Sequence, residues 1–263
     1  MRITVLNDDR NLRSDLKNEH GFSLWIQTEK ESFLFDAGQS EAYLYNAEKL
    51  GVNLNQADFA VLSHGDYDHG NGLKFWNGKK IPLYLHPDAF TYRTNKKTGN
   101  YAGLNQTEGE LSQRFQLIQN KTPVWITPQI LFLGEIPRRE GYALSVLPMN
   151  GVDGNEYAQP DDSALALKTE RGLVVITGCG HSGVCNVLDY AKKLTHETRI
   201  YAVLGGFHLK DMGAPTAQLM DYCHRNGVTN VYLSHCTEDI VCAQISQKLS
   251  NVQTLSVGEV VEL

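Results

Sequence analysis

The stretch LSHGDYDHGNGL, residues 62–73, decides the reading of this chain. It places His64, Asp66, Asp68 and His69 within six residues, set among Gly65, Gly70 and Gly72. The apolar run DFAVL (58–62) leads straight into it, so the motif hangs from the end of a buried strand. A solvated acidic turn accounts for the two aspartates, but not for the imidazoles that flank them. Imidazole and carboxylate groups at alternate positions suit Zn²⁺, Mn²⁺ or Fe²⁺, which accept mixed nitrogen and oxygen ligands. The glycines are expected to allow tight backbone turns that aim those ligands inward.

The same arrangement recurs further along the chain. Apolar strands end in a histidine, often beside glycine, at AVLSH (His64), VVITGCGH (His181), AVLGGFH (His208) and VYLSH (His235). One such end is unremarkable. Four point to a shared edge where strand ends converge, the usual place for a site in open α/β architecture. His20, His86, His196 and His224 lack that glycine context and read as structural or surface residues, although His86 does follow a strand.

Periodicity supplies the remaining elements. Strands are expected at 2–6, 22–29, 32–38, 58–64, 81–87, 122–136, 142–148, 199–209 and 230–238, with a hairpin over 163–183 turned at Arg171-Gly172. Helices are expected at 41–52, 185–194, 214–228 and 241–249. The polar, aperiodic stretch from Thr91 to Gly109 reads as part of a loop or lid insertion at about 91–120. No low-complexity linker divides the chain, so 1–263 reads as a single domain with β-sheets inside and helices outside.

Composition narrows the function classes. The chain has 263 residues, 41% hydrophobic and 21% charged, with a net charge of −6. That balance, without a basic stripe, argues against a nucleic-acid partner and against nuclease action. No apolar run nears the ~20 residues needed to span a bilayer. The N-terminal MRITVLNDDR has no long apolar core of a secretory signal, so a cytoplasmic location is expected. All five cysteines lie in the C-terminal third without a CxxC pair, and most read as small buried hydrophobes.

HGDYDHGNGL resembles the H-x-H-x-D-H motif of the metallo-β-lactamase superfamily, departing from it only at Asp66. LFDAG (34–38) resembles the family's upstream Asp-Gly pair. The segments EHGFSLWIQTEKESFLFDAGQS, GEIPR, GLVVITGCGHSGVCNVL and LGGFHL are similar to the subfamily named for 7,8-dihydropterin-6-methyl-4-(β-D-ribofuranosyl)aminobenzene-5′-phosphate synthase. The resemblance implies an α/β fold of four layers, an αββα sandwich with metals at one edge. It implies that His64 and Asp66 serve one divalent ion and Asp68 and His69 another, completed by His181 and His235. Asp36 would orient a ligating histidine. Cys179 stands where the family places a bridging acid, and is either a thiolate ligand or a small buried residue. His208 is either a further ligand or a substrate-side acid.

The implied cofactor is one or two divalent ions, Zn²⁺, Mn²⁺, Fe²⁺ or Mg²⁺. Carboxylate in place of imidazole at position 66 is expected to shift selection toward the harder ions and to make a bound water a weaker acid. The partner expected is a small-molecule substrate, in one reading phosphorylated. Arg138 and Arg139 are the candidates for binding its anion, with Lys96 and Lys97 reading as solvated charges. The backbone of TGCGHSG, which precedes a helix, is a second candidate anion cradle, though it lacks the lysine of a P-loop. Two activities fit. One is a hydrolase directing a metal-activated water at an ester, phosphoester or lactone, with Asp68 and His208 as catalytic groups. The other is a transferase joining a dihydropterin diphosphate to a ribofuranosylaminobenzene-phosphate-like partner. A metal-binding protein without catalysis is a third reading, opposed by the near-complete ligand set.

Overall fold

A computed structural model of the chain describes residues 1–144 and 149–263. Contacts divide it into two compact units. The first holds Met1–Asn120, a segment ending at Asp161, and Leu255–Leu263; the second begins at Lys121 and holds Asp162–Thr254. Each is built on one seven-stranded sheet.

The first sheet runs, in spatial order, Val260–Glu262, Arg2–Asn7, Ser23–Gln27, Ser32–Phe35, Phe59–Val61, Ile81–Leu85 and Phe115–Gln119. Arg2–Asn7, Ser23–Gln27 and Ser32–Phe35 pair antiparallel, and the hairpin between the last two closes where Thr28 N–H donates to Glu31 O. From Ser32–Phe35 onward the pairing is parallel, with Phe35 level with Val61 and Val61 level with Tyr84. Parallel strands point their carboxyl ends the same way. Asp36, Ser63-His64 and His86 therefore leave the sheet on one edge. The core under this sheet includes Trp25, Leu34, Tyr43, Leu62, Leu83 and Phe115, all buried.

The second sheet runs Val252–Thr254, Asn230–Leu233, Ile200–Gly205, Gly172–Thr177, Ala164–Thr169, Ile130–Phe132 and Val124–Thr127. Thr177, Gly205 and Leu233 lie level on three parallel strands. Cys179, His181, His208 and His235 follow just beyond that row. GLVVIT (172–177) is buried at every residue, as expected of a strand covered on both faces. The helix Val184–Thr195 packs Val184, Val187, Leu188 and Ala191 into this core at helical spacing.

Several expectations are corrected. The segment 91–120 is not a loop throughout. Thr107 and Glu110 form a reciprocal capping box that starts the helix Glu108–Arg114, and Leu111 and Phe115 are buried. The strand Phe115–Gln119 then joins the sheet edge. Residues 94–95 form a small ladder with 149–150. The expected strand at 142–148 lies partly outside the described residues, and 142–144 are not strand. No helix among the described residues is long and apolar enough to cross a membrane.

The motif glycines also have another role than expected. None of Gly65, Gly70 and Gly72 has a positive φ. They are places of close approach: a Cβ on Gly65 would stand 1.8 Å from Ala89 O, and one on Gly72 1.9 Å from Ala37 O. Gly65→Ala is thus expected to cost at least about 1–3 kcal/mol through overpacking, read as a lower urea midpoint. A midpoint equal to wild type would show that the backbone yields there.

Candidate metal centre

In the first unit the site is organised by Asp36, which is fully buried. Its Oδ1 accepts from Ser63 N–H at 2.7 Å, and its Oδ2 accepts from Ser63 Oγ at 2.7 Å and from His69 Nδ1 at 2.7 Å. A carboxylate only accepts, so His69 carries its proton on Nδ1 and turns its Nε2 lone pair away from Asp36. Ser63 has one hydroxyl hydrogen, and Asp36 takes it. His64 Nδ1, 2.8 Å from Ser63 Oγ, must then be the donor of that pair, which leaves Nε2 of the neutral ring as an acceptor. One aspartate thus sets the tautomer of two buried imidazoles whose centroids lie 4.2 Å apart. Asp36 holds this place at φ 55, a conformation rarely adopted outside glycine.

His64 Nε2 lies 3.3 Å from Asp66 Oδ2. Two acceptors at that separation repel unless a proton or a metal ion lies between them. This donor set suits a divalent cation: fixed imidazole lone pairs and a carboxylate, held by buried partners. Asp68, 6% exposed, places Oδ2 3.9 Å from His69 Nε2 and 3.2 Å from His20 Nε2. His20 Nδ1 reaches Asp9 Oδ2 at 2.8 Å. His20, read from sequence as structural or surface, thus links two carboxylates. Gly21 brings it there, since a Cβ at Gly21 would meet Asp68 O at 2.3 Å.

Asp66 has partners that the sequence did not suggest. Its Oδ1 accepts from Arg93 Nη1 at 3.0 Å and its Oδ2 from Gln159 Nε2 at 2.9 Å. Arg93 is fully buried and also donates to Asp161 at 2.9 Å. Burial opposes the charge on Arg93, but Asp161 and Asp66 outweigh it and raise the guanidinium pKa above its usual value.

In the second unit Cys179, His208 and Cys236 bring one ligand atom each within 4.8 Å of one another. Gly206 permits this, because a Cβ there would meet Cys236 Sγ at 2.7 Å. His181 is 2% exposed and its ring centroid lies 4.7 Å from that of His208. His208 and His235 both adopt positive φ, 49° and 44°. His208 Nδ1 is buried and has no hydrogen-bond partner among the described residues. Burial alone would push the Cys236 thiol up, yet hydrogen bonds with Cys179 and His208, and the neighbouring His235, hold it well below its usual value. Burial pushes Cys185 and Cys223 up to about 12. Neither is expected to react with iodoacetamide in native protein at neutral pH, read by peptide mass mapping. Labelling of either would contradict their burial.

The anion candidates are also placed. Arg139 is half exposed and pairs with Asp189 at 3.5 Å, while its N–H donates to Asn186 Oδ1. Arg138 is half-buried. Lys96 pairs with Glu156, and Lys97 is exposed. The Gly-rich turn before Val184–Thr195 already holds an anion of the chain itself: Ser182 N–H donates to Asp162 Oδ2 at 2.8 Å. The other histidines have local roles. His86 Nδ1 accepts from Asp88 N–H at the start of a 3-10 turn, His196 ends the helix Val184–Thr195 in left-handed conformation, and His224 is exposed on Ala214–Arg225.

Residues 17–192 match the family model of the metallo-beta-lactamase superfamily. The 7,8-dihydropterin-6-methyl-4-(beta-D-ribofuranosyl)-aminobenzene-5′-phosphate synthase of Methanocaldococcus jannaschii is 30% identical over 254 residues, covering 89% of this chain and 86% of its own. An uncharacterized protein of the same archaeon is 34% identical, covering 92% of this chain and 93% of its own. Among solved structures, Tm1679, described as a metal-dependent hydrolase of the beta-lactamase superfamily, superposes with a TM-score of 0.87 at 29% identity, over 100% of this chain and 99% of its own. Zn²⁺-bound PqqB from Methylobacterium extorquens, at 12% identity and a TM-score of 0.59, covers 100% of both chains and shares the fold.

Proposed function

Because this chain belongs to the metallo-β-lactamase superfamily, we propose that it is a metal-dependent hydrolase of a small ester, phosphoester or lactone. The proposed ligands in the first unit are His64, Asp66, Asp68 and His69; those in the second are His181 and His235, with Cys179 as a further thiolate ligand. The observation that carries this reading is the hold of Asp36 on both His64 and His69, which presents two Nε2 lone pairs from a fully buried pair of rings. The strained backbone at Asp36, His208 and His235 supports it, since such strain collects at functional sites.

A divalent ion held there supplies the Lewis acidity that makes a water acidic near neutral pH and polarises the substrate's electrophile. The chain's own residues do the rest. Asp68 accepts the proton of the attacking water at Oδ2, and His20, braced by Asp9, keeps that oxygen oriented. His208, through its buried Nδ1, donates a proton or hydrogen bond to the departing oxygen. Arg138 gives a phosphorylated substrate its counter-charge. Tm1679's description supports the hydrolase reading.

The name of the M. jannaschii synthase favours a second reading, transfer between two organic substrates, one of them an aminobenzene phosphate. Steady-state assays with phosphodiester, lactone and thioester substrates under Zn²⁺, Mn²⁺ and Mg²⁺ separate the two. Turnover of one substrate with water as acceptor is the expected result. Absence of turnover until a second organic substrate is added would replace hydrolysis by transfer.

A further inference from the structure

Asp66 sits at the N-cap position of the short helix Tyr67–Gly70, where an aspartate ordinarily accepts a backbone N–H of the first turn. It makes no such bond. Its carboxylate is turned instead to Arg93, Gln159 and His64 Nε2. Helix capping therefore does not explain the residue.

Arg93 is held for this contact from every side. Nη2 donates to Asp88 O at 3.1 Å, Nε donates to Thr91 O at 3.2 Å, and the guanidinium lies 4.6 Å from the centroid of the Tyr157 ring. Asp161, fully buried, takes Nη1 and also accepts Gly65 N–H at 2.7 Å. Arg93 and Asp161 thus grip the backbone just before Asp66 and the carboxylate of Asp66 together. Gln159, which supplies the third contact, is buried at φ 48. A permanent positive charge donating through Nη1 to Oδ1 engages that oxygen and draws electron density from the carboxylate. Oδ2, which also accepts from Gln159, is the oxygen that faces His64 Nε2, so the carboxylate meets a cation on that side through Oδ2.

We infer that Arg93 is a positioning residue that restricts Asp66 to a single, weakened oxygen donor and so sets which divalent ion the site prefers. The inference rests on the metal-centre reading above. It revises the expectation drawn from sequence, in which the carboxylate at position 66 acts at full strength and favours harder ions. With Arg93 in place, position 66 behaves more like the neutral imidazole it replaces, and zinc loses less ground to manganese.

The test is titration of chelator-stripped full-length protein with Zn²⁺ and with Mn²⁺, comparing wild type, Arg93→Met and the charge-balanced pair Arg93→Met/Asp161→Asn. The pair carries the test if the single variant does not fold. Removing Arg93 frees Oδ1 of Asp66 and restores the donor strength of the carboxylate, and the ratio of the Mn²⁺ Kd to the Zn²⁺ Kd is expected to fall by about tenfold, the low end of what an altered partner of a ligating group does to affinity. A purely structural role would weaken both ions together and leave the ratio unchanged. That result, or unchanged affinities for both, overturns the inference and leaves the metal centre standing. Wild type that takes up neither ion overturns both.

Discussion

Asp68→Asn is expected to lower kcat by about 10²- to 10⁴-fold, the usual contribution of a positioned general base. The amide has nearly the volume of the carboxylate, so packing is kept. What changes is the atom facing the reaction. Asp68 Oδ2 lies 3.2 Å from His20 Nε2, and an amide there no longer takes a proton. His20 is a half-exposed histidine, and ion pairs of such groups add little stability, so the melting temperature should stay close to wild type. Reading kcat beside metal content separates the two roles assigned to Asp68. Lost turnover with metal retained marks the proton acceptor. Full turnover in the variant would remove Asp68 from the chemistry.

Asp36→Asn is the second large effect, expected through tautomer rather than contact. Asparagine tolerates the left-handed backbone seen at φ 55 and can still accept from Ser63 N–H. Its amide nitrogen, placed at Oδ2, would face Ser63 Oγ and His69 Nδ1 as a donor. His69 then keeps its bond only by moving its proton to Nε2, the atom a metal needs free. Zinc affinity should fall by about 10- to 100-fold, as for other partners of ligating histidines. ¹⁵N shifts of His69 should report the change of tautomer. Wild-type affinity with an unchanged tautomer would show that Asp36 is only packing.

The sequence made most of the architecture legible, because strands such as GLVVIT and FAV are continuous apolar runs and helices such as Val184–Thr195 bury residues at helical spacing. It also pointed to Asp36, through the resemblance of LFDAG. Other parts were hidden for physical reasons. Arg93 meets Asp66 across 27 residues and Asp161 across 68, from a stretch with no periodicity, so its burial is a tertiary fact. His20 looked like a surface residue, and half of it is exposed; only the fold brings it to Asp68. The motif glycines were read as turn formers, whereas their small size is what the structure uses. Cys236 follows a strand-end histidine in sequence, but its approach to Cys179 and His208 depends on the pairing of parallel strands.

The central claim is that residues of the strand ends hold a divalent ion. Isothermal titration of chelator-stripped protein with Zn²⁺ and Mn²⁺, for wild type, His69→Ala and His224→Ala, tests it most directly. His69 is fully buried on Asp36, and His224 is exposed on a helix. Stoichiometric binding in wild type and His224→Ala, weakened at least tenfold in His69→Ala, is the predicted result. Equal binding by all three proteins, or by none, would contradict it.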